Sequence, residues 1–388
     1  MRGSTLLLAA LPAAFAAPAE RTKPAPLSMG SGTTGKYIVK LRDGTEVSAL
    51  NSAIGLLSVK PEHVYNTAFR GFASSMDEST LEAVRMHPDV EYVEEDGIAT
   101  IAGFVDQQNP VWGLARISSR TKGKRVYTYD ERAGEGTCSY VIDTGVDENH
   151  REFEGRAKQV KSWIPNSNRD DHGHGTHVSG TIGSKTYGVA KKTKIYGLKV
   201  LGSNASGPDS GIIDALNFVA EDAPKRDCPK GVFVNLSLTA DRRLQSMNDA
   251  AAALVRKGYF VAAAAGNFNR DAAQESPASE PTICTVGGTQ ENDGRYSGSN
   301  YGKFIDINAP AVQVTSTMPG GGTGGMTGTS MASPHVVGLA AYLSSVEGIT
   351  ASSACDRIVQ LATKGAITGR MPPNTVNLLA FNGNTKGF

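Results

Sequence analysis

The sequence has few cysteines, almost no net charge and no apolar run long enough to cross a membrane. Lysine and arginine total 39 against 38 aspartate and glutamate residues, so the formal net charge is +1. Nucleic acid is therefore not an expected partner, because phosphate binding needs a strong positive surplus. A membrane-spanning helix needs about 20 apolar residues, and no segment reaches that length. With 39% hydrophobic residues, the bulk of the chain is not predicted to be disordered.

Motifs of several other enzyme classes are also missing. No C-x-x-C pair occurs, which weakens a zinc or redox interpretation. The glycine-rich run 320–328 lacks the Gly-Lys-Ser/Thr ending of a phosphate loop. The following segment, 328–332, fails the G-x-S-x-G pattern of a lipase-type nucleophile turn. Glycine itself is abundant, at 44 residues, which is typical of a loop-rich α/β enzyme.

The first residues have the pattern of a secretory signal peptide. Arg2 precedes the apolar run 6–11, and Ala14-Phe15-Ala16 provides an A-x-A exit. We therefore expect a signal peptide over 1–16 and a secreted, extracellular protein. Outside the cell, an even number of widely spaced cysteines predicts two disulfides, and the residues alone leave all three pairings open. The four cysteines are Cys138, Cys228, Cys284 and Cys355.

Composition and periodicity divide the remainder into three parts. Residues 17–35 are rich in proline, alanine, serine and glycine, and this composition predicts a linker. Strand-like and helix-like runs interleave over 36–104, which predicts a small α+β domain. From 105 to 388, apolar strands, among them Val232–Leu236 and Phe304–Ile307, alternate with helical stretches such as His174–Gly183. This alternation predicts a mostly parallel sheet with helices on both faces. In such sheets, functional residues collect beyond the carboxyl ends of the strands.

Three residues at those strand ends and helix starts have the chemistry of acyl transfer. Asp143 ends a strand, His174 opens a helix, and Ser330 lies where a glycine-rich loop meets a helix. A hydroxyl nucleophile needs a base to take its proton and a carboxylate to orient that base. The chain order Asp, His, Ser is one of the known orders for this triad. Each residue also has a simpler interpretation: a turn cap for Asp143, a metal ligand for His174 with His172 and His177, and a flexible linker around Ser330.

Three short strings surround these residues: Val141–Gly145, His174–His177 and Gly328–His335. They resemble the signatures of the subtilisin superfamily, and in particular its proteinase K branch of secreted fungal endopeptidases. The resemblance implies that Asp143 orients His174, which serves as general base and then acid, while Ser330 attacks the scissile carbonyl. It also implies that Asn267 and the backbone N–H of Ser330 form the oxyanion hole.

The same resemblance implies how the protein is made and held together. Residues 36–104 are similar to the inhibitor-chaperone propeptide of the family, whose acidic end 93–97 would lie in the substrate cleft before it is cut away. The mature peptidase domain, 105–388, would begin near Val105. We expect polypeptide substrates, the chain's own propeptide as intramolecular inhibitor, no nucleic acid or membrane partner, and a monomer. The implied disulfides are Cys138–Cys228 and Cys284–Cys355.

The substrate-binding segments depart from the family pattern. Thr239 and Ala240 stand where relatives have two glycines, so they are expected to crowd the primary pocket or to disturb it if a positive φ is needed. Asp209 stands where relatives have a tyrosine. We therefore expect altered specificity, with smaller residues at the cleavage position and tolerance for basic residues further upstream. The implied substrate-binding residues are Ser237, Leu238, Thr239, Ala264, Ala265, Gly266, Gly207 and Asp209.

Calcium is the cofactor that the resemblance implies, and no organic cofactor is expected. The strong site maps to Asp306 and the backbone carbonyls of Pro281 and Ile283, and hard oxygen ligands suit calcium. A second site is not expected, since Ala366 replaces its aspartate. Asn204-Ala205-Ser206 lies in a predicted loop and is a candidate for glycosylation, whereas Asn235-Leu236-Ser237 lies in a predicted core strand.

The sequence thus predicts a secreted serine endopeptidase of broad range, made as an inhibited zymogen. The main alternative is a secreted pseudoprotease that binds polypeptide without efficient cleavage, because Thr239, Ala240 and Asp209 depart from the family. A metallohydrolase at His172–His177 is the third interpretation. Reaction of Ser330 with a fluorophosphonate probe separates the first two.

Overall fold

The computed structural model describes residues 21–28, 35–97 and 103–384, and the chain divides into two compact units, 1–100 and 101–388. The predicted signal peptide, 1–16, lies outside the described residues. Among the helices that are described, none combines the length and the apolar character that crossing a bilayer requires.

The first unit is a five-stranded sheet with two helices. The strand order is β1-β5-β2-β4-β3, and β1 runs parallel to β5 while the other pairs are antiparallel. Val39, Phe72, Leu50 and Val84 are fully buried in its core. Its elements are β1 (Leu27–Ser28), β2 (Lys36–Leu41), α1 (Val47–Ile54), β3 (His63–Tyr65), β4 (Gly71–Ser75), α2 (Glu78–Arg85) and β5 (Val90–Glu95).

Part of the segment that composition assigned to a linker is folded onto this unit. Ala25 is fully buried, its backbone N–H donates to the carbonyl of Arg85 at 2.8 Å, and the Arg85 Nε returns a bond to the Ala25 carbonyl at 2.9 Å. The N–H of Val93 donates to the carbonyl of Pro26 at 2.9 Å. The linker prediction therefore does not hold for 25–28, because proline is tolerated beside an edge strand and a proline-containing segment can still pair with the sheet.

The second unit alternates strands and helices around a nine-stranded sheet. Its elements are β6 (Phe104–Gln108), α3 (Trp112–Ile117), β7 (Val126–Asp130), β8 (Cys138–Asp143), β9 (Ala157–Ser162), α4 (His174–Gly183), β10 (Lys194–Lys199), α5 (Asp209–Asp222), β11 (Val232–Leu236), α6 (Gln245–Arg256), β12 (Phe260–Ala264), β13 (Cys284–Thr289), β14 (Ile307–Pro310), β15 (Val314–Met318), β16 (Gly322–Met326), α7 (Thr329–Glu347), α8 (Ala354–Leu361), β17 (Thr363–Lys364) and β18 (Leu378–Leu379).

Helices cover both faces of this sheet, as predicted. The strand order is β17-β18-β14-β13-β12-β11-β8-β10-β9, and neighbouring strands are parallel except β17 and β18. Side chains alternate along β8: Val141 packs with α4 and α7, whereas Tyr140 and Ile142 pack with α5 and α6. This alternation buries both faces of the strand, which explains its continuous apolar sequence. The predicted α/β fold class is confirmed.

The strand order reverses beside β8, which lies between β10 and β11. Open parallel sheets bind ligands outside the carboxyl ends of the strands at such a reversal. Asp143 is the last residue of β8, Ser237 follows β11, and Asn267 follows β12 by three residues. The topology therefore brings three predicted site residues to one edge of the sheet.

The second unit contains two disulfides. Cys138 is bonded to Cys228 and Cys284 to Cys355, which is the pairing that the family resemblance implied.

The strand predicted over 304–307 begins only at Ile307. The N–H of Ile305 donates to the carbonyl of Gly302 in a turn at 3.2 Å, and the chain first bonds β13 through the Asp306 N–H, which donates to the Thr285 carbonyl at 3.0 Å.

Candidate active site

Asp143 and His174 are in direct contact. The Nδ1 of His174 lies 2.7 Å from Oδ1 and 2.9 Å from Oδ2 of Asp143, whose side chain is fully buried. The Thr144 N–H also donates to the same carboxylate at 2.7 Å. Burial lowers the pKa of His174, but the charge of Asp143 and its hydrogen bond outweigh burial, so the pKa is raised above 6.5. The imidazole is therefore held in one orientation with a stabilised protonated form.

A second aspartate positions the start of α4. Asp170 is buried and accepts from the Gly173 N–H at 2.7 Å, the Thr176 N–H at 2.8 Å and the Thr144 hydroxyl at 2.8 Å. A Cβ on Gly175 would lie 2.1 Å from the carbonyl oxygen of Gly145, so only glycine lets this helix approach β8 so closely. These contacts fix the distance between the strand that carries Asp143 and the helix that begins at His174.

Ser330 lies in the first turn of α7 and lines the same pocket as His174. Its Oγ donates to the backbone carbonyl of Ser237 at 3.1 Å, and among the described residues no hydrogen bond joins it to His174. In the opposite direction, the Ser237 hydroxyl donates to the Ser330 carbonyl at 2.7 Å. Each of the two serine hydroxyls thus donates to the backbone carbonyl of the other serine, which connects the end of β11 to the start of α7.

Two buried side chains behind Ser237 extend this connection. The Asn235 Nδ2 donates to the Ser237 hydroxyl at 2.9 Å, and its Oδ1 accepts from the Ser333 hydroxyl at 2.9 Å. Asn235 and Ser333 are both fully buried. Because each polar group has a partner, the network fixes α7 against β11 without an unsatisfied amide.

The amide of Asn267 has a defined orientation. Its Oδ1 accepts from the Thr329 N–H at 2.8 Å and from the Thr329 hydroxyl at 3.0 Å. Within the described part of the chain, its Nδ2 has no hydrogen-bond partner. A Cβ on Gly328 would lie 3.3 Å from that Nδ2. The amide N–H groups are therefore free beside the loop that precedes Ser330.

The pocket next to His174 and Ser330 has a volume of about 320 Å³. Of the residues that the resemblance assigned to substrate binding, five line it, and the complete lining is His174, Leu201, Ala205, Ser206, Gly207, Asp209, Ile212, Ser237, Leu238, Thr239 and Ser330. Neither Thr239 nor Ala240 has a positive φ, so replacing the two glycines does not strain the backbone at these positions. Ala240 bonds the Ser276 carbonyl at 2.8 Å instead.

The other implied substrate-binding residues lie elsewhere at this edge. Ala264 ends β12, and Ala265 and Gly266 lead from it to Asn267; none of them lines this pocket. Asp209, the first residue of α5, does line it, but its carboxylate accepts from the Arg242 guanidinium at 2.6 Å. Sequence spacing gave no sign of that partner, which is 33 residues away.

The residues implied for calcium are placed around β13 and its neighbour. The Asp306 Oδ2 accepts from the Thr285 N–H at 2.8 Å, while Pro281 and Ile283 lie just before β13. Burial, with the nearby charge of Asp356, raises the pKa of Asp306 to about 6. No lysine or arginine of the described residues pairs with this carboxylate, which leaves it without a positive partner.

The histidine cluster does not form a metal site. His177 is fully buried and its Nε2 lies 2.9 Å from the Val314 carbonyl, while His174 is engaged by Asp143. Among the described residues, the one group of three possible metal ligands is Cys284, Asp306 and Cys355. Its two sulfurs form a disulfide, so they are not thiolate ligands.

Two polar residues that sequence reasoning missed hold the surrounding backbone. Asn300, 1% exposed, accepts at Oδ1 from the N–H groups of Phe268 (3.0 Å) and Arg270 (3.1 Å), and its Nδ2 donates to the Ala265 carbonyl at 2.9 Å. Asn300 is thus hydrogen-bonded to the backbone on both sides of Asn267 and holds that loop in place.

Lys199, fully buried, is the second such residue. Its Nζ donates to the Thr144 carbonyl at 2.8 Å, the Leu201 carbonyl at 2.9 Å and Asp171 at 2.6 Å. It thereby connects the residue after Asp143, the pocket wall and the loop before His174. A lysine ending an apolar strand was the available signal in the sequence.

Comparison with known proteins gives matches over both units. Residues 134–375 match the subtilase family, and residues 36–102 match the peptidase inhibitor I9 family. The chain is 51% identical to "Subtilisin-like serine protease AsES" of Sarocladium strictum over 99% of both chains. It is 50% identical to "Cuticle-degrading protease" of Metarhizium anisopliae, covering 97% of this chain and 98% of that one.

A third relative and a solved structure agree with these matches. "Proteinase R" of Parengyodontium album is 51% identical, covering 98% of this chain and 99% of the relative. The structure of "a cold adapted subtilisin-like serine proteinase" superposes with a TM-score of 0.66 at 37% identity, over 71% of this chain and 98% of that one. The predicted family is confirmed: the chain belongs to the subtilase family of serine endopeptidases and carries an inhibitor I9 propeptide.

Proposed function

We propose that this protein is a secreted endopeptidase that cleaves polypeptides through Asp143, His174 and Ser330. The contact of 2.7 Å between His174 and the buried Asp143, beside a pocket that Ser330 also lines, is the observation that carries the proposal. Secretion is supported by the signal-type sequence 1–16 and by the name of the cuticle-degrading relative, whose substrate lies outside the cell.

The proposed reaction moves one proton back and forth. After Ser330 turns from the Ser237 carbonyl, its Oγ attacks the carbonyl carbon of the substrate while its proton passes to Nε2 of His174. Asp143 stabilises the imidazolium, in accord with the raised pKa of His174. The imidazolium then protonates the leaving amine, which breaks the C–N bond and leaves an ester on Ser330. Water, activated by the same imidazole, hydrolyses that ester and regenerates the hydroxyl.

The oxyanion of each tetrahedral intermediate needs donors that are in place beforehand. The Asn267 amide meets this need, because Thr329 occupies its oxygen and leaves its N–H groups free. The backbone N–H of Ser330, in the first turn of α7, is the second proposed donor and benefits from the positive end of the helix. Removal of one such donor typically costs about 10²–10³ in kcat.

We propose that the protein is made as a zymogen that processes itself near Val105. The inhibitor match over 36–102 and the acidic stretch 93–97 support the propeptide as intramolecular inhibitor. A Ser330→Ala variant is then expected to accumulate uncut, whereas Ser352→Ala, at an exposed serine, should mature normally. N-terminal sequencing of the secreted proteins distinguishes these outcomes, and efficient maturation of the first variant contradicts the triad.

Substrate preference is proposed to follow the pocket beside the triad. Leu201, Ile212 and Leu238 make its wall apolar, and Thr239 reduces its width, which favours small apolar side chains. Because the Asp209 carboxylate is paired with the Arg242 guanidinium, we expect little preference for basic residues in the native protein. Arg242→Ala should expose the carboxylate and raise kcat/KM for a basic residue upstream of the cleavage site. A peptide-library profile unchanged by that substitution would remove the charge argument.

A single structural calcium is proposed at Asp306 with the carbonyls of Pro281 and Ile283. The donor set fits a hard divalent ion, because it offers carboxylate and carbonyl oxygens and the carboxylate lacks a cationic partner. Bound there, calcium would supply that charge and fix the start of β13 to the chain entering β14.

A fluorophosphonate probe tests the chemistry directly, because it reacts with an activated serine. The mature protein should be labelled once, on Ser330, and Ser330→Ala should not be labelled. Failure of the mature protein to react would favour a pseudoprotease that binds polypeptide without cleavage.

A further inference from the structure

The sequence contains two N-x-Ser acceptor patterns, and the fold separates them. Asn235 in β11 is fully buried, and its Nδ2 donates to the Ser237 hydroxyl at 2.9 Å. A sugar on that nitrogen would have to displace Ser237 and occupy the core beside Ser330. Asn204, in Asn204-Ala205-Ser206, is exposed and lies between β10 and α5, outside any helix or strand. Only Asn204 is compatible with a bulky, solvated modification.

The backbone around Asn204 forms a tight loop that presents this side chain to solvent. The Gly202 N–H bonds the Ser206 carbonyl at 2.9 Å, and the Ala205 N–H bonds the Gly202 carbonyl at 3.0 Å. The Asn204 Oδ1 accepts from the Ser206 N–H at 3.2 Å. Its Nδ2, the atom to which an N-linked sugar attaches, has no partner among the residues the structure describes.

This loop is also the rim of the pocket beside the catalytic residues. Ala205, Ser206 and Gly207 line that pocket together with His174 and Ser330. The attachment residue is therefore directly bonded to a lining residue. An oligosaccharide there would occupy space at the mouth of the pocket, beside the opening through which a substrate enters.

We propose that Asn204 carries an N-linked, N-acetylglucosamine-based glycan that restricts the pocket to short or unfolded substrates. The restriction is one of volume, since a neutral glycan adds no charge. A short extended peptide passes beneath it, whereas a folded protein brings bulk on both sides of its cleaved segment. The same restriction protects one copy of the enzyme from digestion by another. The inference rests on the proposed secretion, because the acceptor pattern is used only in the secretory pathway.

Mass measurement tests whether the modification is present. The protein is secreted from a eukaryotic host, and its intact mass is compared before and after peptide N-glycosidase treatment. We expect a mass loss for the native protein and for Ser206→Thr, which keeps the acceptor pattern, and none for Asn204→Gln. An unchanged mass of the secreted native protein, or a mass loss that persists in Asn204→Gln, overturns the proposal.

Kinetics test the restriction. For Asn204→Gln and for enzymatically deglycosylated protein, we expect kcat/KM on a folded protein substrate to rise about 5-fold or more, and on a chromogenic tetrapeptide to change less than about 2-fold. Equal changes on both substrates, or none, would refute the restriction. Tetrapeptide cleavage that is absent in Ser330→Ala supports the proposed function independently of the glycan. If the native protein does not cleave the tetrapeptide, that result counts against the proposed endopeptidase function and not against the glycan.

Discussion

Replacement of Asn300 should impair catalysis without any contact between this residue and the substrate. Its side chain makes three hydrogen bonds to the loop of Asn267, at 2.9, 3.0 and 3.1 Å. At about 1 kcal/mol net for each, Asn300→Ala should lower the free energy of unfolding by about 3 kcal/mol. The backbone N–H groups of Phe268 and Arg270 would lose their acceptor. The loop would then no longer hold the Asn267 amide in a fixed position.

The expected kinetic effect follows from the role of that amide. Full loss of such a donor costs about 10²–10³ in kcat, so a loosened donor should cost about 10- to 100-fold. KM should change less than about 3-fold, because the pocket beside His174 is not touched. The assay is steady-state hydrolysis of a chromogenic peptide, with active sites counted by fluorophosphonate titration.

A double-mutant cycle separates positioning from general damage. In an Asn267→Ala background, Asn300→Ala should reduce kcat by less than about 3-fold, since the donor it positions is gone. Asn308→Ala is the matched control: its amide is 2% exposed and donates to the carbonyls of Val376 and Leu378 at 3.1 and 3.2 Å, away from the Asn267 loop. It should lose stability but keep kcat. If the two effects multiply fully in the double variant, the positioning argument is wrong.

Three further predictions concern stability. Burial lowers the pKa of His177 and of His335 to about 4. Between pH 6.5 and pH 4, these side chains are therefore protonated in the unfolded chain but neutral in the folded protein. Each histidine should therefore lower the free energy of unfolding by up to about 3 kcal/mol as the pH falls from 6.5 to 4. The Tm of the His177→Gln variant should depend less on pH over that range. Replacing Cys284 and Cys355 by serine opens a cross-link that spans 71 residues, which should cost about 4 kcal/mol in a urea-unfolding experiment. A chelator should lower the Tm of the native protein but not of Asp306→Asn; equal shifts in both would contradict the calcium assignment.

Much of the peptidase fold could be predicted because its elements are locally encoded. The helix expected over His174–Gly183 has these bounds in the structure, and the strand over Val232–Leu236 likewise. The strand is buried along its whole length, and four of its five residues are apolar. The helix is built mainly from small and polar residues, and its start is marked by Gly173, which has a positive φ. Expectation failed where a side chain took the place of a backbone partner. The bond from the Thr285 N–H to Asp306 delays the start of β14.

The environment of the site followed a different rule. Asp143, His174 and Ser330 could be chosen from residue type and strand ends, because the sheet brings those ends together. Their partners could not. Lys199 pairs with Asp171, which is 28 residues away along the chain, and Asp209 pairs with Arg242, which is 33 residues away. No periodicity or spacing specifies such pairs.

The sequence by itself determined the chemistry of the protein: its family, its α/β class and the residue types that acyl transfer requires. These follow from local patterns, since an apolar strand, a glycine-rich turn and a motif of a few residues carry their meaning within one segment. Only the tertiary structure decided that Asp209 pairs with Arg242, that Asn300 is hydrogen-bonded to the Asn267 loop, and that Asn204 lies at the rim of a pocket while Asn235 is buried. Such facts depend on which side chains meet after the chain has folded, and a polar group takes whichever partner the packing leaves within hydrogen-bonding reach.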